Sequence, residues 1–207
     1  MEQVLSAVFD KDSASYDRQN SRHCEACWNA ARSLLPEVQG RWVLDAGCGT
    51  GLITERLADD IGSWGQVVGI DISPKMLEKA RLRLADRRNI TLAQASLDEV
   101  QSRDRSFDVV VCVNVLRHVD DLSPVLREWR RVLKPDGEVV LLDWDASSIW
   151  WKVAHHILKY TDQSYKKARS SDEVSNALQN HGFVVLEVKK ASISPWRQVW
   201  VIKAKKS

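Results

Sequence analysis

Three glycines at alternate positions, Gly47, Gly49 and Gly51, follow directly on the apolar run Val43-Leu44-Asp45-Ala46. The run reads as a buried strand and the glycines as the turn that hands it to a helix. Without Cβ atoms the backbone of such a turn can take positive φ and let a ligand approach closely. Asp71, twenty residues beyond Gly51, closes a second apolar run, Val67-Val68-Gly69-Ile70. A carboxylate in that place can accept hydrogen bonds from both hydroxyls of a ribose. The bland alternative is an acid that favours the start of the next helix, worth a few tenths of a kcal/mol to about 1 kcal/mol. Asn114, His118 and Asp143 fall at or just after two further apolar runs.

This chemistry is nucleotide binding, and the spacing restricts which nucleotide. A phosphate-gripping P-loop ends in Gly-Lys-Ser/Thr, and no such ending follows here. The dinucleotide fingerprint spaces its glycines G-x-G-x-x-G, whereas Leu52 stands where the third of those glycines falls. The departure weakens a nicotinamide-dependent oxidoreductase reading.

The elements that must position these residues alternate. Residues 1–18 are polar and mixed, anchored by Phe9, Tyr16 and Asp17, and the spacing of Cys24, Cys27, Trp28, Ala31, Leu34 and Leu35 predicts a helix over 19–35 that Pro36 stops. Strands follow at 41–46, 66–71, 90–93, 107–113 and 138–143, separated by helices at 51–60, 74–87 and 122–133. Ser73-Pro74 supplies an N-cap and a first-turn proline, and Lys134-Pro135-Asp136-Gly137 is a turn signal. Such alternation implies a parallel sheet wound on both faces, with the ligand at the carboxyl ends of the strands near the first strand. Asp45, Asp71, Asn114 and Asp143 all map to that edge. In the last third, 147–160 reads as helical and Ser170-Ser171-Asp172-Glu173 as a capping box for a helix ending at Gly182. The runs 183–191 and 196–204 read as a closing antiparallel pair.

Composition narrows the class further. The chain has 207 residues and a formal charge of +2, enough for one α/β domain and without the basic footprint of a nucleic-acid binder. No apolar run reaches the roughly 18 residues of a membrane span and the N-terminus lacks a signal-peptide pattern, so a cytoplasmic protein is expected. Of four cysteines, Cys24 and Cys27 form a C-x-x-C pair; His23 is a third ligand type beside them, but no fourth presents itself. Ordinary reduced thiols and no metal site are expected. Five of the nine tryptophans, Trp144, Trp150, Trp151, Trp196 and Trp200, lie from residue 144 onward. They suit either a core corner or a flat aromatic pocket. His155 and His156 are adjacent, so they do not share a helix face and do not make a metal site by themselves.

The pattern Asp45-x-Gly47-x-Gly49-x-Gly51 resembles motif I of the class I S-adenosylmethionine (SAM)-dependent methyltransferases. Val67-Val68-Gly69-Ile70-Asp71-Ile72-Ser73-Pro74-Lys75-Met76-Leu77, Phe107-Asp108-Val109-Val110-Val111-Cys112 and Leu133-Lys134-Pro135-Asp136-Gly137-Glu138 resemble the motifs that follow it. Within that superfamily they are most similar to the ubiquinone/menaquinone-biosynthesis (type 11) group, whose N-terminal segment Ser15-Tyr16-Asp17 also resembles. The likeness runs over residues 9–143. It implies a Rossmann-like, doubly wound, seven-stranded and mostly parallel sheet with an antiparallel last strand, forming one domain. Residues 1–36 would be an N-terminal lid, 37–143 the SAM-binding core and 144–207 an acceptor-side insertion with closing strands.

The resemblance also implies roles. Asp45 and the backbone at Gly47 and Gly49 would hold the methionine moiety of SAM, Asp71 the ribose, and Ile72 and Met76 the two sides of the adenine. The family's adenine-binding Asp falls on Ser96, beside Leu97, where a hydroxyl stands in for a carboxylate. Asn114 would face the methyl region. Catalysis needs an acceptor nucleophile aligned with the sulfonium methyl and, for an acceptor that must lose a proton, a base. His118 is the candidate base, or else a packing histidine; Tyr16 is the candidate to close over the sulfonium, or else a lid residue. The expected reaction is methylation of a small, flat or apolar acceptor, with S-adenosylhomocysteine (SAH) as product. Methylation of RNA or protein and a noncatalytic SAM-binding subunit are the alternatives.

Overall fold

In the computed structural model, residues 2–147, 167–194 and 197–207 are described, and within the first helix the side chains of 2–5, 12–16 and 18–21 lie outside the description. Helix α1 spans Glu2–Arg32; β1 Trp42–Ala46, α2 Leu52–Ile61, β2 Gln66–Asp71, α3 Pro74–Arg83, β3 Ile90–Gln94 and β4 Phe107–Val113 follow. A short 3-10 turn, Leu116–His118, leads to α4 (Leu122–Val132), β5 (Leu133–Trp144), α5 (Ser171–Asn180), β6 (Phe183–Ser194) and β7 (Arg197–Lys206). The seven strands lie in the order β3-β2-β1-β4-β5-β7-β6. All neighbours from β3 through β5 pair in parallel, and β7 runs antiparallel to both β5 and β6. This is the doubly wound sheet the alternation predicts, with its direction of winding reversing between β1 and β4.

Each face of the sheet carries its own core. On one, Leu122, Val125, Leu126 and Trp129 of α4 and Val174 and Leu178 of α5 pack with Val110, Leu141 and Trp200. On the other, Cys27, Trp28 and Ala31 of α1 and Leu57, Ala58 and Ile61 of α2 cover Val43, Val111 and Val140. Strand β4 is buried on both faces, which is why it reads as an unbroken apolar run.

Two elements differ from the sequence reading. The first helix begins at Glu2 rather than near residue 19. The apolar residues Val4, Leu5, Val8 and Phe9 give way to the mostly polar stretch 10–20, which hides the continuity of the helix, and Ser6, Asp10 and Asp17 attach this N-terminal half through hydrogen bonds. The turn signal at Lys134–Gly137 lies inside β5: Phe107 pairs with Leu133 and Val109 with Glu138, so the intervening residues bulge, with Asp136 at φ 63°. The capping box at Ser170 and Glu173 and the positive φ of Gly182 are both present as read. The helix expected over 147–160, with Trp150, Trp151, His155 and His156, lies outside the described residues, as does Trp196.

Candidate functional site

The glycine turn at the end of β1 meets three different demands. Gly47 and Cys48 both donate their N–H to the Ile70 carbonyl at 2.9 Å, which folds the turn back over β2. Gly51 sits at φ 84° beneath α3, where a Cβ would come within 2.9 Å of Leu84 Cδ1 and 3.2 Å of the Ala80 Cβ. Gly49, at φ 54°, is the opposite case: a Cβ there would meet no atom within 4 Å. Packing requires the glycine at 51, whereas at 49 the space is open to a ligand.

Asp71 is welded to this turn. Its Oδ2 accepts the Gly49 N–H at 2.9 Å and its Oδ1 accepts the Ser73 N–H at 2.8 Å. Burial pushes its pKa up, and these amide hydrogen bonds oppose the shift. Each carboxylate oxygen retains a second lone-pair direction. Asp45 is 2% exposed and accepts from the Thr54 hydroxyl at 2.6 Å. Burial pushes its pKa up to about 7, against the Thr54 hydrogen bond, and the nearby Asp71 charge raises it further. The N–H groups of Gly47 and Gly49 are spent within the protein, so the turn offers a ligand its carbonyl oxygens and the Asp45 carboxylate, a set suited to an ammonium.

Beyond Asp71, a cleft of about 460 Å³ opens between Ile72 and the loop after β3, where Gln94, Ser96 and Glu99 line it with Ser6 and Asp10 of α1. Ile72 and Ser96 thus line the same cleft. Ser96 donates its hydroxyl to Asp98 at 2.5 Å, leaving its oxygen as an acceptor. Met76 and Leu97 do not join the lining: Met76 is 2% exposed within α3, and Leu97 leans on the core.

Helix α1 lies across all of this. Ser6 donates to the Ile72 carbonyl, Asp10 accepts from the Ser73 hydroxyl at 2.6 Å, and Asp17 accepts from the Thr50 hydroxyl at 2.6 Å and from Arg83. At its far end Cys27 and His23 meet Asn114 at 3.2 and 3.3 Å. The helix therefore touches the ends of β2, β1 and β4 in turn, the order in which those strands lie in the sheet. Tyr16 falls within α1, and its side chain lies outside the described residues. Sequence reasoning passed over Asp10, Thr50, Thr54 and Arg83: Asp10 of α1 meets Ser73, Thr50 of the turn and Arg83 of α3 meet Asp17 of α1, and Thr54 of α2 meets Asp45, pairings that only the packed fold brings about.

At the carboxyl end of the next strand, Asn114 follows β4 at φ 63°, a conformation asparagine tolerates. Its Oδ1 is buried and has no hydrogen-bond partner among the described residues, which leaves an acceptor available. Arg117 donates to the Asn114 carbonyl at 2.6 Å and to Asp143 Oδ1 at 3.0 Å. His118 is 7% exposed and stands edge-on to Phe9, with ring centroids 5.1 Å apart. His23, read from the sequence only as a third ligand type, instead lies 3.6 Å from the Cys27 thiol and packs edge-on to Trp144.

A methyltransferase-domain family profile matches residues 44–141. A demethylmenaquinone methyltransferase of Listeria welshimeri is 36% identical over 184 residues, which cover 84% of this chain and 78% of the relative. The chain belongs to the class I SAM-dependent methyltransferases of the ubiquinone/menaquinone-biosynthesis type. Solved structures agree with the methyltransferase on fold. A SAM-dependent methyltransferase from Mesorhizobium loti superposes with a TM-score of 0.75 at 23% identity, covering 87% of this chain and 98% of that one. A chain of the Haloferax volcanii complex with the Trm112 methyltransferase activator gives 0.83 at 19% identity, covering 96% and 97%.

The cofactor of this methyltransferase is SAM, and the site's own features fit it. There is open space over Gly49, a buried acid at Asp45, a second acid, Asp71, held at the turn by the Gly49 amide, an acceptor at Asn114 without a partner among the described residues and a cleft beside Ile72. Among the described residues no helix is long and apolar enough to cross a membrane.

Proposed function

We propose that this methyltransferase methylates a small quinone-type acceptor in its reduced, aromatic form. What carries the reading is the 36% identity over most of the chain to a demethylmenaquinone methyltransferase. Asp71 binds the ribose hydroxyls, Asp45 and the carbonyls of the 47–49 turn receive the methionine ammonium, and Ile72, Met76, Ser96 and Leu97 form the adenine end, with Met76 and Leu97 behind the cleft wall. Asn114 Oδ1 accepts a hydrogen bond from the methionine or acceptor side. When bound, SAM supplies an electrophilic methyl on a sulfonium, transferred to the acceptor by in-line displacement that leaves neutral SAH.

The protein's own task is alignment and exclusion of water. Helix α1, with Tyr16 in its middle, closes over the cofactor. His118, at the 3-10 turn after β4, takes the proton that the acceptor ring loses. Residues 1–36 act as the lid, 37–143 as the cofactor-binding core and 144–207 as the acceptor side of one domain.

The experiment is to incubate the protein with SAM and a short-chain demethylmenaquinol under reducing conditions and to follow SAH and the methylated quinone by mass spectrometry. Stoichiometric formation of both is expected. SAH formation from other small phenols but never from the quinol would overturn the acceptor class, and tight SAM binding with no turnover on any acceptor would favour a noncatalytic subunit. His118→Gln should lower turnover at least 10-fold at unchanged SAM affinity, within the usual contribution of a general base; full activity would return His118 to a packing role.

A further inference from the structure

At the carboxyl end of β5, the indole of Trp144 carries two guanidinium groups. Arg117 Cζ lies 4.8 Å from the ring centroid and Arg197 Cζ 5.2 Å from it. Arg117 is paired with Asp143, which is buried and also accepts the Arg117 backbone N–H at 3.0 Å. Arg197 is exposed at the start of β7 and forms no ion pair with any described residue. The nearest further acid on the same strand end, Asp145, is taken by Lys190 at 2.9 Å. Among the described residues the corner thus holds two guanidinium groups against one carboxylate.

His23 reports the same excess. Its pKa is lowered to about 4, first by burial and then by the charges of Arg197 and Arg117, with Asp143 acting in the opposite direction. It is neutral at physiological pH and adds no third cation. The corner also adjoins the cofactor turn, since Arg117 holds the Asn114 carbonyl and β4 is the direct neighbour of β1.

We infer that Arg197, with Arg117 and Trp144, forms an anion subsite that holds the deprotonated oxygen of an aromatic acceptor. The inference rests on the small-aromatic reading of the acceptor given above. A guanidinium held over an indole face by cation–π attraction has N–H donors to spare for an oxyanion and is more weakly hydrated than an ammonium. A phenolic hydroxyl is neutral at pH 7, and an adjacent cation lowers its pKa by about 1 to 3 units. The ionised form pushes electron density onto the oxygen and the neighbouring ring carbon, the atoms able to accept a methyl group. Arg197 is a positioning and specificity residue in this scheme; the ring of Trp144 holds its guanidinium at the corner and offers the acceptor a flat neighbour.

The probe is 4-nitro-1-naphthol, whose anion has its own visible absorbance, with its O-methyl ether as the uncharged control. Each is titrated into the SAH-loaded protein. Wild type should bind the naphthol as its anion, lower the naphthol's apparent pKa by about 1 unit and bind the ether at least 10-fold more weakly. Arg197→Gln should lose that preference and the pKa shift, Arg197→Lys should keep part of both, and SAH affinity and melting temperature should hold in each. Equal binding of naphthol and ether by wild type, or an unchanged pKa shift in Arg197→Gln, would overturn the subsite. Demethylmenaquinol turnover is measured in parallel. Turnover with no effect of Arg197→Gln on the anion removes the subsite and leaves the reaction; anion binding that depends on Arg197 without turnover removes the quinol and leaves the subsite.

Discussion

The backbone N–H of Gly49 points at the carboxylate of Asp71, 2.9 Å away, so the glycine turn and the acid that ends β2 are a single hydrogen-bonded unit. Asp71→Ala removes the ribose contact proposed for this carboxylate and also leaves two amides, at Gly49 and Ser73, without their acceptor. Hydrogen bonds to a charged group are worth about 1.5–3 kcal/mol each, so two lost ribose bonds weaken SAM binding roughly 100-fold or more. Calorimetry of SAH binding reads this directly, and unchanged affinity would remove Asp71 from the site.

Gly49 and Gly51 share a positive φ but should fail in different ways when changed to alanine. Gly49→Ala adds a methyl to open space, so its stability cost is the left-handed strain alone, about 1–2 kcal/mol, while SAM affinity falls steeply. Gly51→Ala adds to the same strain a clash with Leu84 and Ala80, and overpacking of that kind costs a further 1–3 kcal/mol. Thermal melts beside SAH titrations separate them; a larger melting-temperature loss for Gly49→Ala than for Gly51→Ala would contradict the assignment.

The pH dependence of cofactor binding follows from Asp45, whose folded pKa of about 7 lies above its ordinary value of 3.8. The folded state favours the protonated acid, so Asp45 contributes most to stability below pH 4 and that contribution is lost as pH rises to 7. Above pH 7 the buried carboxylate opposes folding by an amount on the order of 4 kcal/mol. Asp45→Asn should therefore raise the melting temperature at pH 8 and change little at pH 4. Cofactor binding runs the other way: the methionine ammonium prefers the carboxylate, so SAM affinity should climb between pH 5.5 and 7.5 in wild type and stay flat in Asp45→Asn. Equal slopes in the two proteins would refute the pairing.

The attachment of α1 predicts a kinetic effect. Asp17→Ala severs the helix from Thr50 and from Arg83 at once. SAH dissociation should accelerate about 10-fold in stopped flow, and amides of residues 2–32 should exchange faster in the free protein. If neither rate moves, α1 is not the lid.

How much of this was legible in the sequence depends on whether partners lie near one another along the chain. The β2 boundaries, the Ser73 cap and the 170–173 capping box could be read because each is encoded by neighbours a few residues apart. The fully buried β4 announced itself by having no polar face. The N-terminal half of α1 did not, because its apolar residues Val4, Leu5, Val8 and Phe9 are cut off from the Cys24–Leu35 pattern by a mostly polar stretch, and the partners of Ser6, Asp10 and Asp17 lie far away in the chain. The turn signal at 134–137 was chemically genuine but lies in a bulge of β5, since only the pairing of Phe107 with Leu133 reveals the strand on its far side. The Arg117–Trp144–Arg197 corner is assembled from three separate elements, and nothing local in any of them marks it.

The strand order also sets a timetable for assembly. Strand β7 lies between β5 and β6, so β6 has no partner in the sheet and the β5 edge stays open until the residues around 200 have left the ribosome. The glycine turn and Asp71 need only β1, β2 and β4, all present by residue 113. Trp144 and Arg197 come together only when β7 docks, bringing Val199 opposite Trp144. A nascent chain can thus form its cofactor turn well before its acceptor corner, and during that interval the unpaired β5 edge is what a chaperone would have to shield.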